Sequence, residues 1–330
     1  MLGRALFAAL KRLRLAARPA ARVIRIGRHF AAYRVPGESA RCPACASEAL
    51  RLIEPLASNR PAWRFGFITG CRRCGVLFAN PLPSERDLAQ VYSPEGEWGR
   101  HRQEEQEKQV SARTIAGLFA PAAGELDVLH PPPGAAVLDF GCGLGGMLDA
   151  FAALGWDTYG IDPATKVAFN RHHEVTTLPA GPRFDVAILH HVLEHVSAPL
   201  DILRAIGIAT KPGGLLLVSV PNLDGLPEHR ELKYCIRSDV HVLAYTTACL
   251  TWLLAEAGFA VISSTPGRRN PRRRVVLARR DPTPQAKPVE PLAAAMTALT
   301  AYGAIEKGWL PARMRAALAD LRHSRWRVQK

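Results

Sequence analysis

The run Val137-Leu138-Asp139-Phe140-Gly141-Cys142-Gly143-Leu144-Gly145-Gly146 constrains this chain more than any other feature. Residues suited to a buried strand lead into a glycine-rich turn, and a helical apolar pattern follows from Leu148 to Leu154. Gly141, Gly143 and Gly145 let the backbone bend sharply and approach a ligand where a Cβ would collide. Asp162 lies 17 residues beyond Gly145, at the end of the next strand pattern, Thr158 to Ile161. A carboxylate there can accept hydrogen bonds from both ribose hydroxyls of a bound nucleoside. Glycines alone do not identify that nucleoside, because Gly141-x-Gly143-x-x-Gly146 also satisfies a dinucleotide fingerprint.

From residue 135 the pattern alternates strand and helix. Ala136 to Phe140, Thr158 to Ile161, Asp185 to Leu189, Leu215 to Val220, Ala260 to Ser263 and Val275 to Ala278 read as strands. Helices are expected around 197–210 and 246–257. Such alternation predicts an α/β domain with a mostly parallel sheet wrapped by helices. Pro131-Pro132-Pro133-Gly134 marks its start, since proline cannot continue a helix. The expected organisation is a basic leader over 1–37, a cysteine module over 38–83, a helical linker or lid over 84–130, the α/β domain over 131–281, and a Pro-rich linker with a basic helix over 282–330.

Three further features narrow the cofactor. Asp139 stands two residues before the first glycine, where it can orient the turn and reach the amino-acid end of a zwitterionic ligand. Phe184 to Leu189 is followed by Leu193-Glu194-His195, and Lys211-Pro212-Gly213-Gly214 forms a tight turn into Leu215 to Val220. With these motifs, residues 135–280 resemble the class I S-adenosylmethionine-dependent methyltransferases, in the branch of the ubiquinone-biosynthesis O-methyltransferases. The resemblance implies a Rossmann-like, seven-stranded sheet with helices on both faces and S-adenosylmethionine as cofactor. It assigns Asp139, Gly141, Gly143 and Asp162 to the cofactor; Cys142 and Gly145 in the turn and His190 at the fourth strand's end join them as candidates. One departure is that Thr176 to Arg183 offers no acidic residue for the adenine.

Cys42-x-x-Cys45 and Cys71-x-x-Cys74 are separated by 25 residues that hold a plausible hairpin. Paired knuckles can set four thiolates around one zinc ion at about 2.3 Å. Four cysteine ligands leave no open position, so such a zinc is structural. The layout, with Val76 to Pro81 and an acidic helix from Ser84, also resembles bacterial methyltransferases that carry an N-terminal zinc ribbon. Seven cysteines with no clear secretory signal fit reduced thiols in a cytoplasmic setting better than disulfides.

Methyl transfer needs orientation and, for a hydroxyl acceptor, a base. Candidates gather after the fourth strand. His191 and His195, four apart, are expected to share a helical face with Glu194. In the ubiquinone-type relatives this stretch reads Glu-x-x-Glu-His and is associated with a divalent metal; His191 in place of the first Glu weakens a magnesium site here. The alternative role of Glu194 and His195 is to order the loop over the cofactor. His241, in Asp239-Val240-His241-Val242-Leu243-Ala244-Tyr245-Thr246, is a second candidate, facing substrate together with Tyr245 or merely packing ahead of a helix capped by Thr246.

Charge separates the competing functions. The net charge is +14, and residues 1–37 supply nine Arg or Lys with no Asp or Glu. Basic appendages around a nearly neutral core favour a small-molecule or glycan acceptor, methylated on O or C, over RNA. An RNA methyltransferase using the ribbon and tails, and a non-catalytic cofactor-binding scaffold, are the alternatives. The leader, with Leu6, Leu10 and Leu13 at helical spacing, could also rest on an anionic membrane surface.

Overall fold

The computed structural model describes residues 41–56, 66–93, 95–96, 110–164, 167–229, 232–236, 240–268, 270–283, 287–288 and 290–306. The basic leader, the Glu104 to Lys108 run and the C-terminal arginines lie outside the described residues. The described residues from 41 to 303 belong to one compact unit.

Among the described residues there are two sheets. The smaller joins β1 (Leu50–Leu56), β2 (Gly66–Cys71) and β3 (Leu77–Asn80) to the short β9 (Leu243–Ala244), all antiparallel. The larger comprises β4 (Ala136–Phe140), β5 (Asp157–Ile161), β6 (His173–Glu174), β7 (Phe184–His190), β8 (Thr210–Pro221), β10 (Phe259–Pro266) and β11 (Arg273–Arg280). Its order is β10-β11-β8-β7-β4-β5-β6, with β11 antiparallel to β8 and β10 and the other pairs parallel. This is the expected seven-stranded, mostly parallel, Rossmann-like sheet.

Period-two alternation sends neighbouring side chains to opposite faces. Ala187, Leu189, Leu216, Val218 and Val220 join one core, and Val186, Ile188, Leu215 and Leu217 the other. α2 (Ala112–Phe119) and α3 (Gly146–Ala152) cover the second face through Ile115, Phe119, Leu148 and Phe151. α4 (Pro199–Ala209) and α5 (Thr247–Glu256) cover the first through Leu203, Ile206, Leu250 and Leu253. Local chemistry sets the helix starts. Ser84 and Asp87 form a reciprocal capping box on α1 (Glu85–Tyr92), and Ser111 and Thr246 cap α2 and α5. Pro199 opens α4, where its missing N–H costs nothing.

The cysteine segment shares the first core. Cys42, Cys71, Cys74, Val76 and Phe78 pack in one cluster with Leu189, Leu216, Leu250 and Trp252. On the other side of the small sheet, Leu292, Ala295 and Leu299 of α6 (Pro291–Glu306) meet Ile68 and Leu77.

Three local expectations change. Lys211-Pro212-Gly213-Gly214 is an irregularity inside β8 rather than a turn before it. The pairing jumps from Phe184↔Thr210 to Val186↔Leu215, and Lys211 Nζ reaches both Asp185 oxygens at 2.8 and 2.9 Å. β6 and β9 are two-residue strands with no periodicity to reveal them. α3 starts at Gly146, before the apolar repeat begins.

Candidate active site and cysteine cluster

The turn after β4 is fixed to the tip of β5. Gly141, Gly143 and Gly145 have φ of +85°, +56° and +93°, in the left-handed region that glycine enters without strain. The N–H groups of Gly141 and Cys142 donate to the Ile161 carbonyl at 2.7 and 3.1 Å. Gly143 N–H donates to Asp162 Oδ2, and Ala164 N–H to Oδ1, each at 2.8 Å. Each carboxylate oxygen has a second lone pair for a further donor. Asp139 is buried on β4 just behind the turn. A Cβ on Gly141 would lie 2.5 Å from Val192 Cγ2, so the loop after β7 closes directly onto the bend. These features fit a nucleoside cofactor laid across a bare backbone. Cys142 is different: its Sγ would be 2.8 Å from a Cβ on Gly160, and it packs in the core. Only its backbone belongs to the turn.

The loop after β7 does not form the helical face expected for His191, Glu194 and His195. His191 takes φ +57°, and Leu193–His195 form a single 3-10 turn. The backbone reversal nevertheless brings the three side chains together. Glu194 is fully buried, and its Oε1 lies 2.8 Å from His191 Nδ1 and 3.9 Å from His195 Nε2. Burial raises the Glu194 pKa. The hydrogen bond to His191 and the imidazoles of His191, His195 and His241 outweigh it and pull the value down to about 2. Burial pushes His195 down to about 4, against the opposing effect of Glu194. At neutral pH the centre is therefore a carboxylate beside a neutral imidazole.

His241 arrives from the segment after β8. Its ring centroid is 4.8 Å from that of His195, at 73°. Tyr245 does not face substrate with it. That side chain is buried and donates its hydroxyl to the Leu193 carbonyl at 2.7 Å, locking the 3-10 turn from behind. Thr246 takes its expected capping role, accepting from Cys249 N–H. His190 ends β7, with its Nε2 3.4 Å from Arg273 Nη1. Arg273 and Tyr92 went unread in the sequence. Tyr92 Oη sits 2.6 Å from His195 Nδ1 across a separation of 103 residues, a contact no local pattern announces.

The four knuckle cysteines converge. Cys42 and Cys74 Sγ are 3.6 Å apart, as are Cys45 and Cys71, and all four sulfurs lie within 4.8 Å of one another. Tetrahedral zinc–thiolate bonds of about 2.3 Å place sulfurs roughly 3.8 Å apart, so the donor set fits a structural zinc ion. Three arginines of β11 are engaged within the fold. Arg274 pairs with Asp224, Arg279 with Glu125, and Arg280 stacks over Phe259.

Residues 105–264 match the Methyltransferase domain family. Over that span the chain is similar to it. A ubiquinone biosynthesis O-methyltransferase from Roseobacter denitrificans is 37% identical over 125 residues, covering 33% of this chain and 48% of that protein. Its counterpart from Ruegeria pomeroyi is 35% identical over 125 residues, covering 33% and 49%. The chain spans about half the length of the curated relatives it matches. Among solved structures, the Burkholderia thailandensis 1,6-didemethyltoxoflavin-N1-methyltransferase, with 1,6-didemethyltoxoflavin and S-adenosylhomocysteine bound, is 20% identical. It covers 69% of this chain and 99% of its own, at a TM-score of 0.45. The matched span contains the glycine turn, Asp162 and the loop of His191 to His195, whereas the cysteine cluster lies before it. No helix among the described residues is long and apolar enough to cross a membrane.

Proposed function

We propose that the protein is an S-adenosylmethionine-dependent methyltransferase acting on a hydroxyl of a small-molecule or glycan acceptor. The observation that carries this reading is the tie between the glycine turn and Asp162 inside a matched methyltransferase domain. Asp139, the backbone of Gly141 to Gly145, Asp162 and His190 hold the cofactor. When bound, it supplies a methyl group already activated on a positively charged sulfonium. The acceptor oxygen would take that methyl, with the carbon–sulfur bonding pair staying on sulfur.

The chain's own work is orientation and proton removal. His191 is partly exposed, with Nδ1 tied to buried Glu194, so its Nε2 can take the acceptor's hydroxyl proton while the carboxylate stabilises the imidazolium. Cys42, Cys45, Cys71 and Cys74 hold a structural zinc that staples residues 38–83 onto the 131–281 domain, with 84–130 as linker. Reduced paired thiols suit a cytoplasmic protein.

The test incubates the full chain with methyl-labelled cofactor and fractionated cell extract. Label in a low-molecular-weight or glycan fraction supports the proposal. Label in RNA, or none in any fraction, overturns it. His191→Ala should lower turnover about 10²- to 10⁴-fold, the range of a general base, while leaving cofactor affinity unchanged.

A further inference from the structure

We infer that Arg273 recognises an anionic group of the acceptor, so that the methylated molecule carries a carboxylate or phosphate as well as its hydroxyl. Arg273 opens β11 and pairs with Pro221, while His190 at the end of β7 pairs with Ser219. Antiparallel β11 therefore starts where β7 and β8 finish, at the carboxyl edge where open α/β sheets take their ligands. Arg273 Nη1 lies 3.4 Å from His190 Nε2, and the His190 ring centroid is 4.9 Å from that of His191. An anion on the guanidinium is thus held beside the proposed base.

The other arginines of β11 have acceptors inside the fold. Arg274 has Asp224, Arg279 has Glu125, and Arg280 donates to the Gly258 carbonyl. Arg273 has neither a carboxylate nor a carbonyl acceptor among the described residues. A guanidinium carries about five N–H donors. Here Nη1 makes the long contact to His190, and Nε is buried without a partner. A Cβ on Gly267 would stand 3.0 Å from that Nε, so the β10–β11 hairpin clasps the stem and leaves the terminal nitrogens on the His190 side. Burial works against the Arg273 charge, with the Tyr234 phenol opposing that effect. An arginine stays protonated in a protein, so an anionic ligand is what completes its hydrogen bonding.

Strand order separates this charge from the glycine turn. β11 stands three strands from β4, about 14 Å across the sheet, whereas the turn is tied to Asp162 at the tip of β5, on the far side of β4. The guanidinium therefore faces the acceptor's side of the site. The hairpin from Gly267 to Arg273 also carries exposed Arg268 and Arg272 and no acidic residue, a positive rim that draws anions toward Arg273. That the anion belongs to the methyl acceptor rests on the methyltransferase reading; the anion site itself does not.

The experiment loads the full chain with S-adenosylhomocysteine and titrates in 4-hydroxybenzoate, phenyl phosphate and the uncharged 4-hydroxybenzamide, read by calorimetry. At least one anion should bind about tenfold or more tightly than the amide. Arg273→Gln should abolish that preference while S-adenosylhomocysteine affinity stays within about threefold, which also reports that the protein is folded. Arg273→Lys keeps the charge without the planar fork and should retain part of the preference. Wild-type protein that does not prefer either anion, or a preference that survives in Arg273→Gln, overturns the site. Loss of S-adenosylhomocysteine affinity beyond about tenfold in Arg273→Gln would mean that the guanidinium holds the cofactor's carboxylate, and overturns it too. Methyl label from extract confined to metabolites that an anion exchanger does not retain overturns the anionic acceptor and keeps the methyltransferase reading. Anion preference with no label in any fraction keeps the anion site and sinks that reading.

Discussion

Gly143 donates its backbone N–H to Asp162 Oδ2 over 2.8 Å, so the turn after β4 and the tip of β5 move as one piece. In the proposed function Asp162 does two jobs, shaping the turn and accepting from a ribose. Asp162→Ala should weaken S-adenosylmethionine binding at least about 100-fold, equivalent to ~2.8 kcal/mol. Calorimetric titration measures it. Circular dichroism should show the fold retained, because Asp162 is itself only half-buried and water can fill the space its carboxylate leaves. Binding that survives the substitution would mean the cofactor sits elsewhere.

Gly141 is the position where the turn tolerates least. Its φ of +85° disfavours any Cβ, and that Cβ would press on Val192 Cγ2 at 2.5 Å. Gly141→Ala should lower stability by about 1–3 kcal/mol, from strain and overpacking together. Val192→Ala in the same chain removes the contact but not the strain. Denaturant unfolding of the single and double variants should thus show recovery of part of the loss, and full recovery would exclude backbone strain.

The large sheet was legible because its strands are continuous apolar runs. Ala136–Phe140 appeared at the expected bounds, and the remaining core strands at their expected places, since burial on both faces demands such runs. The glycine turn and cysteine knuckles were legible because their chemistry is local. The centre around Glu194 was only half legible. Its three loop residues could be named, but not the positive φ of His191 that breaks a helical face. Tyr92 and Val240 meet His195 across 103 and 45 residues, and only tertiary packing selects them.

Tyr245 holds that centre from behind. Its hydroxyl is the donor to the Leu193 carbonyl, inside a fully buried environment that raises its pKa well above the ordinary value. Tyr245→Phe keeps the ring and leaves a buried carbonyl without its donor. Stability should fall by about 1–3 kcal/mol in urea unfolding. Cofactor affinity should stay within about twofold, because Asp162 and the glycine turn keep their own hydrogen bonds. A large loss of affinity with unchanged stability would instead place the Tyr245 hydroxyl in the pocket.

The cysteine cluster is packed into the same core as β7, β8 and α5, with Phe78, Leu189, Leu216 and Leu250 in one continuous contact network. Cys249, in the first turn of α5, is buried in the same cluster as Cys74 and extends the link. A zinc staple there should stabilise more than its own loop. Removing zinc with a chelator, or by Cys71→Ser, frees a buried thiol set and loosens the α5 side of the sheet together with the ribbon. Scanning calorimetry should then show the main transition itself shifting down, because the two parts unfold as a unit. A separate low-temperature transition that leaves the main one unmoved would mean that the ribbon is an independent module, joined to the methyltransferase domain by contact without cooperativity.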